Sequence, residues 1–170
     1  FRVQQIQSSH VRTRGVKIPR VGWIRTKERT QKLQGLLFGV TIRRHADRWF
    51  VSLCVERERP DPVPVEGPVV GIDLGLTTFA TISDGVTTEK VLAPKPLAKN
   101  LRLLRRRRRQ ANRKQEGSNN YAKAQVALER LHWRIANVRT DFLHKLTTRL
   151  AKTKSAIVVE NLNVRCLMRN

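Results

Sequence analysis

The stretch Val69–Gly85, VVGIDLGLTTFATISDG, constrains the fold more than any other part of the chain. VVGIDLGL is an aliphatic, β-branched run of strand length. FATISDG is a second, ending in Asp84-Gly85, a turn pair suited to positive φ. VTTEKVLAP supplies a third, and the short turns between them imply an antiparallel meander. One carboxylate, Asp73, interrupts the first run. Burying a carboxylate costs several kcal/mol unless a partner compensates. Asp73 therefore either meets a cation or lies at a solvated strand end.

The segments on either side decide what the meander can pack against. Residues 97–152 read as helix, broken at Gly117–Asn119. The first half places Leu97, Leu101 and Leu104 ahead of five consecutive arginines, Arg105–Arg109. The second half carries Tyr121, Leu128, Leu131, Ile135, Val138, Phe142, Leu146 and Leu150 at spacings that make one stripe. Together they predict an antiparallel helical hairpin. SAIVVENLNV, residues 155–164, is a further strand-length apolar run. Because it follows a helix, it can lie parallel to the first strand through a crossover. Asp73 and Glu160 would then face each other.

Upstream, residues 1–58 read as β. Pro19 and Gly22 punctuate GVKIPRVGW, and Leu36–Arg43 and Trp49–Glu56 alternate as two strands around a HADR loop. This predicts a small sheet or barrel with basic residues outside. Residues 59–68 hold four prolines, which stiffen the chain and withhold ladder donors, and are read as a linker. Residues 69–170 form the second unit.

The formal net charge of +22 calls for a polyanion, and nucleic acid is the default partner. The charge is uneven. Residues 1–60 are net +10, residues 61–93 net −4 and residues 94–170 net +16. An acidic island around Asp73 between two basic regions suits a divalent cation facing a phosphate backbone; a solvated hairpin would give the same count. The nucleic-acid candidates are Lys17, Arg20, Arg25 and Lys27 in the first basic region. In the second they are Arg102, Arg105, Arg106, Arg107, Arg108, Arg109, Arg113 and Lys114. Five consecutive arginines go all round a helix, so some must face solvent. Trp23, Trp49 and Trp133 read as packing residues before stacking platforms. The four histidines show no metal-ligand spacing, and Cys54 and Cys166 show neither CxxC spacing nor a disulfide framework. No apolar run approaches the ~20 residues of a membrane span, so no membrane partner is expected. A chain starting at Phe1 and ending soon after a strand-like run is expected to be part of a longer one.

GIDLGLTTFATISDG resembles the first RuvC motif of the TnpB family, the RNA-guided nucleases of bacterial insertion sequences related to compact type V CRISPR effectors. DFLHKLTTRLAKTKSAIVVENLNVRCLMRN resembles its bridging helix and second RuvC motif, and KIPRVGWIRTK its wedge segment. The resemblance implies an α+β or α/β chain. A barrel-like wedge would precede a ribonuclease H-like RuvC domain with an inserted helical hairpin. It implies that Asp73 and Glu160 are two of three catalytic carboxylates binding Mg²⁺ or Mn²⁺. The third acid and a zinc ribbon would lie downstream. It further implies a guide RNA and a target double-stranded DNA as partners, in a prokaryotic cytoplasm at the nucleoid. Two rivals remain at this point: an inactive RNA-guided binding module, and a generic basic RNA-binding protein.

Overall fold

The computed structural model describes residues 2–4, 10–30 and 35–161. The N-terminal part contains β1 (Arg2–Gln4), β2 (Val11–Arg12), β3 (Gly15–Ile18), β4 (Gly22–Arg25), β5 (Leu36–His45) and β6 (Arg48–Glu56). They form two three-stranded antiparallel sheets, ordered β1-β5-β6 and β2-β3-β4. Strand alternation sends Val16 and Ile18 of β3 into one buried cluster, and the register shift between Leu37 and Gly39 of β5 lets Leu37 and Val40 join it. Val11, Ile24, Ile42, Val51, Leu53 and Val55 pack around it. The expected barrel is corrected here. Among the described residues no barrel closes, because no ladder joins one sheet to the other and each keeps its own edges.

The β5–β6 ladder runs further than its apolar alternation suggested. His45 pairs with Arg48, so the HADR loop shrinks to Ala46-Asp47. Ala46 adopts φ 55°, uncommon for a residue with a side chain. The Arg44 Nε donates to its carbonyl at 2.6 Å, and the residue is buried. Residues 57–69 carry no regular secondary structure, as four prolines dictate. At the end of that stretch Gly67 lies against the Thr153 carbonyl, where a Cβ would collide.

The expected meander follows: β7 (Val70–Leu74), β8 (Ala80–Ser83) and β9 (Thr88–Val91). The turn after β8 is tied by Asp84, whose Oδ1 accepts from the Val86 and Thr87 amides, while Gly85 takes φ 90°. Helices α1 (Pro96–Asn112) and α2 (Asn119–Thr153) come next. Pro96 opens α1. Ser118 caps α2 by accepting from the Tyr121 amide, so the break at Gly117–Asn119 is a cap with a chemical cause. Finally β10 (Ile157–Val159) pairs parallel to β7, giving a four-stranded sheet in the order β10-β7-β8-β9.

The α2 stripe serves two cores. Leu146 and Leu150 cover Val70, Ala80 and Ile82 of the sheet, with Phe142 edge-on to Phe79. Nearer the start of α2, Leu131 and Ile135 pack on Leu104 of α1. Leu97, Leu101 and Val138 stay about 40% exposed, so the contact between the helices centres on Leu104 rather than on the whole stripe.

Candidate metal and nucleic-acid site

Asp73 is the fourth residue of β7 and pairs with Thr81 on β8. On its other side β7 pairs with β10, in the register Ile157↔Val70, Val158↔Gly71 and Val159↔Ile72. The ladder ends at Val159↔Ile72, so Glu160 is the first residue after β10 and Asp73 the residue after Ile72 on β7. Parallel neighbours lie ~4.8 Å apart, and residues in one row present side chains to the same face. Two carboxylates 87 positions apart in sequence thus each follow the last paired residue of the parallel ladder, at its C-terminal end. Asp73 and Glu160 are both solvent-exposed, so the aspartate lies at a solvated strand end rather than in the core.

Two other acids of the acidic island, Glu89 and Asp84, have structural work. Glu89 of β9 meets Arg149 of α2 through a double contact of 2.8 and 3.0 Å, fastening the meander to the helix. Asp84 holds its own turn, and donation from the Thr87 and Val86 amides and the Thr87 hydroxyl lowers its pKa to about 2. Asp73 and Glu160 make no ion pair among the described residues. Two exposed carboxylates without cationic partners are a donor set that suits a hard divalent cation, which is often held by one or two carboxylates plus substrate phosphate. Among the described residues no cluster of three or more His, Cys, Asp or Glu gathers for a metal. The free Cys54 is exposed, and Cys166 lies outside the described residues, as do 162–170 of the second motif.

The basic candidates divide between two surfaces. Arg102, Arg105, Arg106, Arg108 and Arg109 are exposed on α1, while Arg107 is half-buried between the buried Leu104 and Ala111. Arg113 ends the helix and Lys114 follows in the turn, both exposed. Lys17, Arg20, Arg25 and Lys27 are exposed on and around the β2-β3-β4 sheet. Arg20 sits in the β3–β4 turn at φ 66°.

Sequence reasoning missed two features. The first joins the β5–β6 hairpin tip to α2: Arg130 donates Nε and Nη2 to the two Asp47 carboxylate oxygens at 2.8 and 2.6 Å. That fork lowers the Asp47 pKa to about 2 and raises that of Arg130. Beside it Phe50 meets Trp133 at 5.7 Å, and the Arg48 guanidinium lies 5.3 Å from the Trp133 ring. Trp133 is thus a packing residue, as its sequence context suggested. The second is Arg12, whose guanidinium lies 4.0 Å from the Trp23 ring centre. Neither pairing has a local signal, since each joins residues on different elements.

Comparison with known proteins agrees with the motifs. A family model described as Probable transposase, OrfB of the IS605 type, matches residues 52–170, and the chain belongs to that family. The chain is 38% identical over 147 residues to a protein of Escherichia coli (strain K12) named "Putative RNA-guided DNA endonuclease InsQ", covering 86% of this chain and 36% of that one. It is 40% identical over 167 residues to "Putative RNA-guided DNA endonuclease Rv2885c" of Mycobacterium tuberculosis (strain ATCC 25618 / H37Rv), covering 92% and 36%. A "Putative RNA-guided DNA endonuclease" of Streptomyces pristinaespiralis is 42% identical over 132 residues, covering 77% and 32%. The chain spans about a third of the length of these curated relatives. The resemblance to TnpB is borne out. No helix among the described residues is long and apolar enough to cross a membrane.

Proposed function

We propose that the chain is the central part of an RNA-guided DNA endonuclease whose cutting site includes Asp73 and Glu160. The observation that carries this reading is the β7–β10 register, which ends at Val159↔Ile72 with Glu160 and Asp73 as the next residue of each segment. Three antiparallel strands, a helical hairpin and a parallel strand beside the first support a ribonuclease H-like reading of this unit. Residues 1–58 then act as the wedge and 59–68 as the linker to the nuclease unit.

Asp73 and Glu160 would hold Mg²⁺ or Mn²⁺, which when bound polarises a phosphodiester oxygen and lowers the pKa of its water. The chain's own part is to aim two hard oxygen donors from rigid strands. The surrounding cations draw in the backbone of a guide RNA–target DNA duplex, read by shape and charge rather than by sequence. Arg102, Arg113, Lys114 and some of Arg105–Arg109 serve one side of that duplex, and Lys17, Arg20, Arg25 and Lys27 the other. A two-carboxylate set holds one ion loosely, so residues 1–170 alone bind nucleic acid without cutting it; a third acid comes from the remainder of a full-length protein.

The test uses the full-length protein loaded with guide RNA. Asp73→Ala and Glu160→Ala each lower target cleavage by several orders of magnitude while target binding persists. Cleavage near the unmodified level with Asp73→Ala rules the site out. Nicking by residues 1–170 that Asp73→Ala removes rules out the need for a third acid.

A further inference from the structure

The outward face of the β2-β3-β4 sheet is a built cationic surface. Register settles which side chains share it. Arg12 pairs with Gly15 and Gly15 with Arg25; Lys17 pairs with Trp23. Paired residues share a face, and so do residues two apart on one strand. Arg12, Gly15, Arg25, Lys17 and Trp23 therefore lie together, opposite the buried Val16 and Ile18. The face holds three cations, one indole and no acid. None of the three cations is ion-paired among the described residues.

The indole is not a free platform. A Cβ on Gly15 would come within 3.6 Å of Trp23, so the ring lies across the glycine, and Arg12 covers it. What this sandwich organises is the arginine. A guanidinium stacked on an aromatic face keeps its in-plane N–H donors free to fork an anion. Backbone contacts fix the strand that carries it. The buried Thr30 hydroxyl donates to the Arg12 carbonyl, and the Thr30 amide to the Thr13 carbonyl at 2.9 Å. A pre-ordered arginine loses less freedom on binding than a waving one.

We infer that this face binds the phosphate backbone of a nucleic-acid strand, with Arg12 on Trp23 as its fixed anchor and Lys17 and Arg25 as flanking contacts. The inference rests on the proposed nucleic-acid function and adds Arg12 and a positioning role for Trp23. Strand spacings make the patch roughly 10 Å across, room for two or three phosphates. An anion with repeated charges fits three unpaired cations better than any apolar partner would.

The experiment measures binding of residues 1–170 to a labelled 20-nucleotide single-stranded RNA, and to DNA of the same sequence, from about 50 to 200 mM salt. Arg12→Gln and Lys17→Gln each weaken binding about 3- to 10-fold and lower the log–log salt slope by about 0.7. Trp23→Leu loses about as much as Arg12→Gln, and the double variant loses little more than either alone, because the indole acts through the arginine. Trp23→Phe retains most of the affinity. Arg59→Gln, an equal loss of charge in the proline-rich segment, changes little. RNA and DNA lose equally, since the phosphate is common to both. If Trp23→Leu lowers the melting temperature, Arg12→Gln and Lys17→Gln carry the test. Unchanged slopes in those two variants overturn this face while the proposed nucleic-acid binding stands. Failure of the unmodified chain to bind either strand overturns both. A loss confined to one base sequence overturns the phosphate contact.

Discussion

The β2-β3-β4 sheet and the β10-β7-β8-β9 sheet solve one folding problem with opposite charge. Each buries one apolar set, Val16 and Ile18 in the first, Val70, Ala80 and Ile82 in the second. Each leaves chemistry on what remains exposed. The small sheet exposes Arg12, Lys17 and Arg25 around Trp23, while the larger one exposes Asp73 and Glu160 at a strand end. Burial is alike, so the difference lies in what each surface attracts. A cationic face gathers phosphates directly; paired carboxylates repel phosphate until a cation intervenes. A sheet supplies geometry, and the exposed positions supply function.

The contrast breaks most readily at the core that both the meander and α2 depend on. Leu146→Ala removes a buried side chain beneath β7 and β8 and lowers stability by about 2–5 kcal/mol in chemical denaturation. An effect under about 1 kcal/mol would mean that α2 does not support the strand bearing Asp73. Next in size, replacing all five of Arg105–Arg109 with Gln lowers affinity for RNA at moderate salt by at least tenfold. The salt slope flattens by roughly 0.9 for each phosphate no longer neutralised on a duplex, and by about 0.7 on a single strand. Filter binding across a salt series reads this; an unchanged slope would leave the β2-β3-β4 face as the main anion surface.

Smaller effects sharpen the contrast. Ser118→Ala deletes the α2 cap and costs about 1 kcal/mol, read as a lower melting temperature. Asp47 lies where the hairpin meets α2, and its pKa is lowered from 3.8 to about 2 by the Arg130 fork. A depressed folded-state pKa stabilises above the unfolded value and loses that stabilisation as pH falls through the folded one. The clasp is therefore intact above about pH 4 and releases between about pH 4 and 2. Trp133 fluorescence, read with Trp23 and Trp49 replaced by Phe, follows that release. Asp47→Asn removes the transition, whereas Asp84→Asn, which titrates in the same window within its own turn, leaves it in place.

Much of this molecule was written locally. The Asp84-Gly85 turn, the break before α2 and the proline-rich segment rest on residues a few positions apart, whose φ preferences and side-chain caps act within one turn of chain. The α2 stripe is local too, because helical periodicity places i, i+3 and i+4 on one side whatever they later touch. The order of segments even anticipated β10 beside β7. What periodicity could not say is where each stripe ends. Leu97, Leu101 and Val138 fit the pattern and still remain exposed, because the apolar cluster between the helices centres on Leu104.

From its sequence alone, this chain determined the order of its main strands and helices, its regional charge, and the two carboxylates worth watching. Tertiary structure decided the rest: two open sheets in place of a barrel, the β10–β7 ladder that ends just before residues 73 and 160, the Asp47–Arg130 clasp across 83 positions, and Arg12 lying over Trp23. The physical reason is range. Dihedral preferences and capping act over a few residues, whereas register and cross-element contacts are set by packing free energy summed over the whole chain, which no short window contains.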